Sequence, residues 1–223
     1  MAVPAFPEAP VAPRELLEEW IPAAFAVVGL PPGAEDLDVK LGIRLEGEGG
    51  GEWVFHLDRG SVHVLAGSRE EAAFSYVQSV EDWRGALWEG RGGAVGEGAA
   101  RFFQPGSASS AEPTAAAQLG AAPSPAALAE LAKLSGLIRM VVGGEGEAGW
   151  SVAFKIGPGP IPETPTTMVT LSEADAAALG TGELDPMTAF MSGRMRVEGD
   201  MTLMLQVQAV QMQAAAASGD EST

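Results

Sequence analysis

The side chains able to do chemistry in this chain are few and widely spaced. There are two histidines, His56 and His63, and no cysteine. Thiol catalysis, thiolate metal sites and disulfide staples are therefore excluded. Both histidines fall in strand-like segments with no nucleophile nearby in sequence, and His-x-x-x-His spacing for zinc is absent. They read as polar positions on strands. Residues 144–149 (GEGEAG) match the dinucleotide pattern G-x-G-x-x-G. That fingerprint requires a helix after its last glycine, but Trp150 opens an alternating, strand-like run, and two glutamates in the turn would repel a pyrophosphate. A hairpin turn is expected instead. Asp36, Asp38, Glu48 and Glu52 are scattered through turns, and nothing marks a cleft that would tune two of them for acid–base work. The chain reads as non-enzymatic, with no cofactor and no metal.

The methionines form a second pattern. Eight of nine lie in the second half: Met140, Met168, Met187, Met191, Met195, Met201, Met204 and Met212. A single methionine usually just fills core. A cluster of flexible, polarisable thioethers suits the wall of a pocket that accepts variable apolar shapes.

The elements that must position these residues follow from composition and spacing. In 223 residues, 46% apolar, there is material for one large domain or two small ones. The net charge of −17 disfavours nucleic acid and anionic membranes and favours solubility. The N-terminal residues lack the basic start and apolar run of a signal peptide. The apolar run Trp20–Leu30 is about half the length that spans a bilayer. A soluble, cytoplasmic protein without stable membrane insertion is expected.

Residues 1–12 read as a flexible Pro/Ala-rich arm. Pro13 opens a helix expected to run from Arg14 to about Val28. Leu41, Ile43 and Leu45, and then Trp53, Phe55 and Leu57, alternate as strands on either side of a glycine-rich turn. Val80–Glu89 reads as a short helix. Residues 105–124 have linker composition. The pattern then restarts. Pro125 opens a helix carrying Leu128, Leu131, Leu134 and Leu137. Ile138, Met140 and Val142 form a strand, as do Trp150, Val152, Phe154 and Ile156. Ser172 caps a helix. The run from Ile43 (IRLEGEGGGEWVFHLDRG) parallels the run from Ile138 (IRMVVGGEGEAGWSVAFKIGPG). This predicts an internal duplication with a period of about a hundred residues.

Residues 168–205 read MVTLSEADAAALGTGELDPMTAFMSGRMRVEGDMTLML. The matching pieces run in order: the strand Met168–Leu171, the helix from Ser172, the segment Gly182–Pro186, then Thr188–Met191 and Gly193–Met201. This stretch resembles the sterol carrier protein type-2 (SCP-2) family, more loosely back to Pro125. Over residues 14–104 only the internal repeat extends the resemblance. The residues themselves agree with it. Leu-Asp-Pro breaks one element and starts another, Met187, Phe190 and Met191 share one helical face, and Asp200 can cap a following helix.

The resemblance implies an α+β fold. A curved, mostly antiparallel five-stranded sheet would be covered by helices and enclose an apolar tunnel, here in two tandem copies. The expected organisation is an arm (1–12), a diverged SCP-2-like domain (13–104), a linker (105–124), an SCP-2-like lipid-binding domain (125–213) and a disordered tail (214–223). The implied function is non-catalytic binding, with transfer as a further capacity, of sterols, fatty acids or other apolar lipids. Expected tunnel residues are Phe154, Met168, Leu171, Leu179, Phe190, Met191, Met195, Met201, Met204, Leu205 and Met212. The last helix would bury Met201, Met204, Leu205 and Met212 while covering the tunnel. The first copy, with Trp83, Trp88, Phe102 and Phe103, would have a filled cavity and act as a packing partner or lid. The alternative is a protein-interaction or dimerisation module accessory to an enzyme, carrying no lipid, with a protein partner or a homodimer.

Overall fold

Strand alternation in both halves builds a single sheet. The computed structural model describes residues 2–30, 36–105, 125–144 and 149–220. Its strands are β1 (Asp38–Glu46), β2 (Gly51–Asp58), β3 (Ser61–Ala66), β4 (Phe74–Ser79), β5 (Gly136–Val142), β6 (Trp150–Ile156), β7 (Thr167–Leu171) and β8 (Met195–Gly199). They form an eight-stranded sheet in the order β3-β2-β1-β4-β6-β5-β7-β8. The fold is α+β and the sheet is mixed, with β1/β4 and β5/β7 parallel and the other pairs antiparallel. The expected five-stranded sheet is thus corrected to eight strands shared by both halves. The reason lies at β6. The chain leaves that strand through loop 157–166 rather than a third strand, and β4 takes the open edge of β6 with Phe74 opposite Ile156 and Tyr76 opposite Phe154.

The helices are α1 (Pro13–Glu15), a π-helical turn (Leu16–Trp20), α2 (Ile21–Val28), α3 (Val80–Trp88), α4 (Gly93–Phe102), α5 (Pro125–Leu131), α6 (Glu173–Thr181), α7 (Pro186–Met191) and α8 (Met201–Asp220). The single helix expected from Arg14 to Val28 is interrupted. Pro22 has no N–H and its ring crowds the carbonyl of Glu18, and the widened turn just before it relieves that crowding. Leu137, expected on a helix, lies in β5 and packs with Val77 and Ala153 apart from the main core. The glycine-rich run before Trp150 joins the antiparallel strands β5 and β6, so a strand, not a helix, follows Gly149. Residues 145–148 lie outside the described residues, as do 106–124, where the linker was expected.

In the arm, Phe6 packs on Trp20 and Trp88. The expected disordered tail continues as helix α8 to Asp220.

The main core lies between the sheet and its helices. In the first half it is filled with rings. Tyr76 meets Phe103 at 4.9 Å, and Trp83 meets Phe103 at 5.9 Å. Trp83 and Phe103 are fully buried. The opposite sheet face is covered by loops 67–73 and 157–166. There the buried Lys155 donates to the carbonyls of Ile156, Gly157 and Pro158 at 2.9, 2.9 and 3.0 Å. Burial, and next the neighbouring Arg69, lower the Lys155 pKa.

The two halves also meet through helices. A methyl group at Gly180 on α6 would come 2.7 Å from Ala94 Cβ on α4. Helix propensity favours Gly180→Ala by about 1 kcal/mol, while forcing a packed contact apart costs roughly 1–3 kcal/mol. The clash should win. Gly180→Ala is expected to lower the urea midpoint, and a raised midpoint would show that α4 and α6 are not held this closely.

Candidate functional site

The apolar site forms at the far end of the sheet, where two short turns set three elements. Asp185 accepts hydrogen bonds from the amides of Met187 and Thr188, both at 3.0 Å, and starts α7 with Pro186 in its first turn. Asp200 accepts from the amide of Thr202 at 2.7 Å and starts α8. Between them runs β8, antiparallel to β7, with Leu171 opposite Met195 and Val169 opposite Val197.

A cavity of about 140 Å³ lies among these elements. Pro186, Met187 and Phe190 contribute from α7, Met195 and Val197 from β8, and Met201, Met204, Leu205 and Gln208 from α8. Of the residues expected to line a tunnel, Phe190, Met195, Met201, Met204 and Leu205 meet around this cavity. Phe154, Met168, Leu171, Leu179 and Met191 do not line it. Phe154, Leu171 and Leu179 are buried in the general core. Met168 alternates with the buried Thr167 and Val169 and so sits on the opposite face of β7. Met191 is 76% exposed, just past the cavity on α7. The side chain of Met212 lies outside the described residues.

The orientation of α8 also differs from expectation. Its anchor is Leu203, buried and set against Gly136, where the missing Cβ leaves room for the leucine methyl groups. Val207 and Val210 continue that face at helical spacing. Met201 and Leu205 are turned outward, 43% and 60% exposed. The signal is present in the sequence: Leu203, Val207 and Val210 form an i, i+4, i+7 stripe. Val197 could also have been found, since it alternates with Met195.

A polar groove lies behind the same edge strand. It is lined by the Gly143–Gly144 turn, Thr170, Glu173, Asp175, Arg194 and Arg196. Asp175 accepts from Ser172 Oγ at 2.7 Å and from Arg194 Nε at 2.5 Å. The Ser172 hydrogen bond, and also that from Arg194, hold its carboxyl below the usual carboxylate range. The groove thus sets two acidic groups beside two guanidinium groups. No group of three or more potential metal ligands occurs among the described residues. His56 pairs with Asp38 at 2.8 Å and His63 is exposed on β3. No helix of the described residues is long and apolar enough to cross a membrane.

Residues 116–212 match the model of the SCP-2 sterol transfer family. This is the family that the C-terminal residues resemble. Sterol carrier protein 2 of Bos taurus is 34% identical over 71 residues, 30% of this chain and 13% of that protein. Hydroxysteroid dehydrogenase-like protein 2 of Xenopus tropicalis is 31% identical over 80 residues, 34% of this chain and 19% of that protein. The match thus spans less than a fifth of either relative's length. The solution structure of sterol carrier protein domain 2 of Helicoverpa armigera is 28% identical, covering 38% of this chain and 72% of that one, with a TM-score of 0.26.

The Asp175 carboxylate ties α6 to the turn before β8. Because its folded pKa is depressed, the stability it contributes is present above its ordinary value of 3.8 and is lost as pH falls through the folded value. In Asp175→Asn that portion of the acid-side loss should vanish. Thermal midpoints measured from pH ~6 to ~2 check this, and an unchanged acid limb would dismiss the tie.

Proposed function

We propose that the C-terminal part of the chain binds an apolar lipid without chemically changing it, and that sterols, fatty acids or related acyl chains are its cargo. The observation that carries this reading is the cavity between α7, β8 and α8, walled by Met187, Met195, Met201 and Met204 with Phe190 and Leu205. Thioethers and a phenyl ring offer dispersion contacts without fixed polar partners, so they accept varied apolar shapes. Each buried methylene contributes roughly 0.8 kcal/mol, which lets an unbranched chain bind tightly without an ion pair. The family match over residues 116–212 and the similarity to a protein named sterol carrier protein 2 support the same reading.

At about 140 Å³ the cavity is smaller than the roughly 300–1,000 Å³ that a drug-sized ligand occupies. Cargo binding on this reading requires α7 and the first turns of α8 to move outward from the sheet. Their outer side chains already stand in solvent, with Met187 67% exposed. The first half, filled by Tyr76, Trp83, Phe102 and Phe103, serves as a buttress rather than a second container.

A second reading has its own observation. Met187, Met191, Met201 and Leu205 form an exposed apolar cluster of the kind that marks association surfaces. The similarity to a protein with a dehydrogenase-like name supports the idea that such a domain acts beside an enzyme. In that case the domain presents a surface and carries no lipid.

Met204→Trp fills the cavity, whereas Met168→Trp lies on the other sheet face and is its control. With a fluorescent fatty acid, the first should bind at least about tenfold more weakly, a difference of ~1.4 kcal/mol. The second should bind like the unmodified chain. Lipid extracted from freshly purified protein should likewise be lost only in the first. Absence of extractable lipid together with absence of fatty-acid binding would overturn the carrier and favour the interaction module.

A further inference from the structure

All the sulfur in this chain is thioether: it has nine methionines and no cysteine. A two-electron oxidant such as hydrogen peroxide finds no thiol here, so its sulfur chemistry falls on methionine and yields the sulfoxide. Peroxide is neutral, and the net charge of −17 does not repel it. Access then selects the methionines that react. Met140 and Met195 are buried, 3% and 5% exposed. Met187, Met191 and Met201 stand in solvent, 67%, 76% and 43% exposed.

Two of those three also wall the cavity. Met187, in the first turn of α7, and Met201, at the start of α8, line it, and Met191 does not. The same two side chains therefore face both the cargo space and small solutes in water. The wall around them is poor in hydrogen-bond donors. Among the described lining residues only Gln208 has a polar side chain, and the others are hydrocarbon or thioether. A sulfoxide oxygen is a strong acceptor that water satisfies. Covered by an apolar cargo, it loses those hydrogen bonds, with one side-chain amide to replace them. A thioether carries no such cost. Oxidation thus penalises the filled cavity and spares the empty one.

We infer that Met187 and Met201 are an oxidation site that governs cargo: peroxide converts them to sulfoxides, and the cavity then releases its apolar lipid. This rests on the carrier reading above. In the step itself a sulfur lone pair attacks one oxygen of hydrogen peroxide. The S–O bond forms, the O–O bond breaks, and the other oxygen leaves as water after proton transfer. Sulfur loses two electrons and the peroxide gains them. Reversal needs a methionine sulfoxide reductase and a dithiol, which is oxidised to its disulfide while the sulfoxide oxygen leaves as water.

The test uses the full chain with a fluorescent fatty acid as probe. Graded peroxide is removed with catalase before the probe is added, and sulfoxides are located by peptide mass spectrometry. Met187, Met191 and Met201 should oxidise ahead of Met140 and Met195. Affinity should fall at least about tenfold as sulfoxide accumulates at positions 187 and 201, with the far-UV circular dichroism unchanged. Sulfoxide reductases with dithiothreitol should restore it. A chain carrying Met187→Leu and Met201→Leu should keep, after peroxide, whatever affinity it has before. Met191→Leu, outside the cavity, should lose affinity on treatment as the unmodified chain does. Sulfoxides at 187 and 201 with affinity unchanged would overturn the inference. So would an equal fall in the double variant, or a fall accompanied by loss of the helical signal. If the double variant binds nothing at the outset, the reductase step decides, and affinity that stays low once both sulfoxides are reduced sinks the idea. Absence of fatty-acid binding before any peroxide is added is the separate failure of the carrier reading, and it removes the inference as well.

Discussion

The structure depends on one strand pairing between its halves, that of β4 with β6. Each half begins with an antiparallel hairpin, β1/β2 and β5/β6, and each returns a later strand parallel to the first, β4 beside β1 and β7 beside β5. In the first half, β3 closes the outer edge of the hairpin. The second half has no strand at that position, so β6 would present a row of unpaired backbone groups. β4 supplies the missing ladder, and Phe74 stacks on Phe154 across it at 5.6 Å.

That pairing fixes what stands on either side of the sheet. Ser79 ends β4 and caps α3 at once, accepting from the amide of Asp82. Asp82 in turn accepts from Trp150 Nε1 at 2.8 Å through its carbonyl. Helix α4 then lies against α6, with Gly180 set against Ala94 and Gly93 against Ala176. On the other face, the Lys155 ammonium has its desolvation offset by three carbonyls of the loop that leaves β6. The same joint therefore organises a dry, helix-covered face and a polar, loop-covered one.

The cavity sits three strands away from this joint, at the β8 edge. Backbone order at that end comes from the caps at Asp185 and Asp200 and from Leu203 seated on Gly136. Much of the wall is methionine, whose three rotatable bonds let it adapt to its contents.

Much of this was readable in the residues. Strand alternation located β1, β2, β5 and β6, Ser172 and Asp200 announced helix starts through local hydrogen bonds, and residues 168–205 carried the resemblance to the SCP-2 family. Five of the expected site residues, Phe190, Met195, Met201, Met204 and Leu205, do share one cavity. These features depend on neighbours close in the chain, and local chemistry specifies them. The tertiary structure alone decided the rest. Strand periodicity says which residues share a face but not which edge meets which, so eight strands in one sheet could not be read from two similar halves. Whether Met168 or Met195 faces the cavity is a matter of parity, and a one-residue difference reverses it. The rotation of α8 was set by a distant glycine that leaves room for Leu203, and the loose-looking arm was ordered by two indoles far from it in sequence.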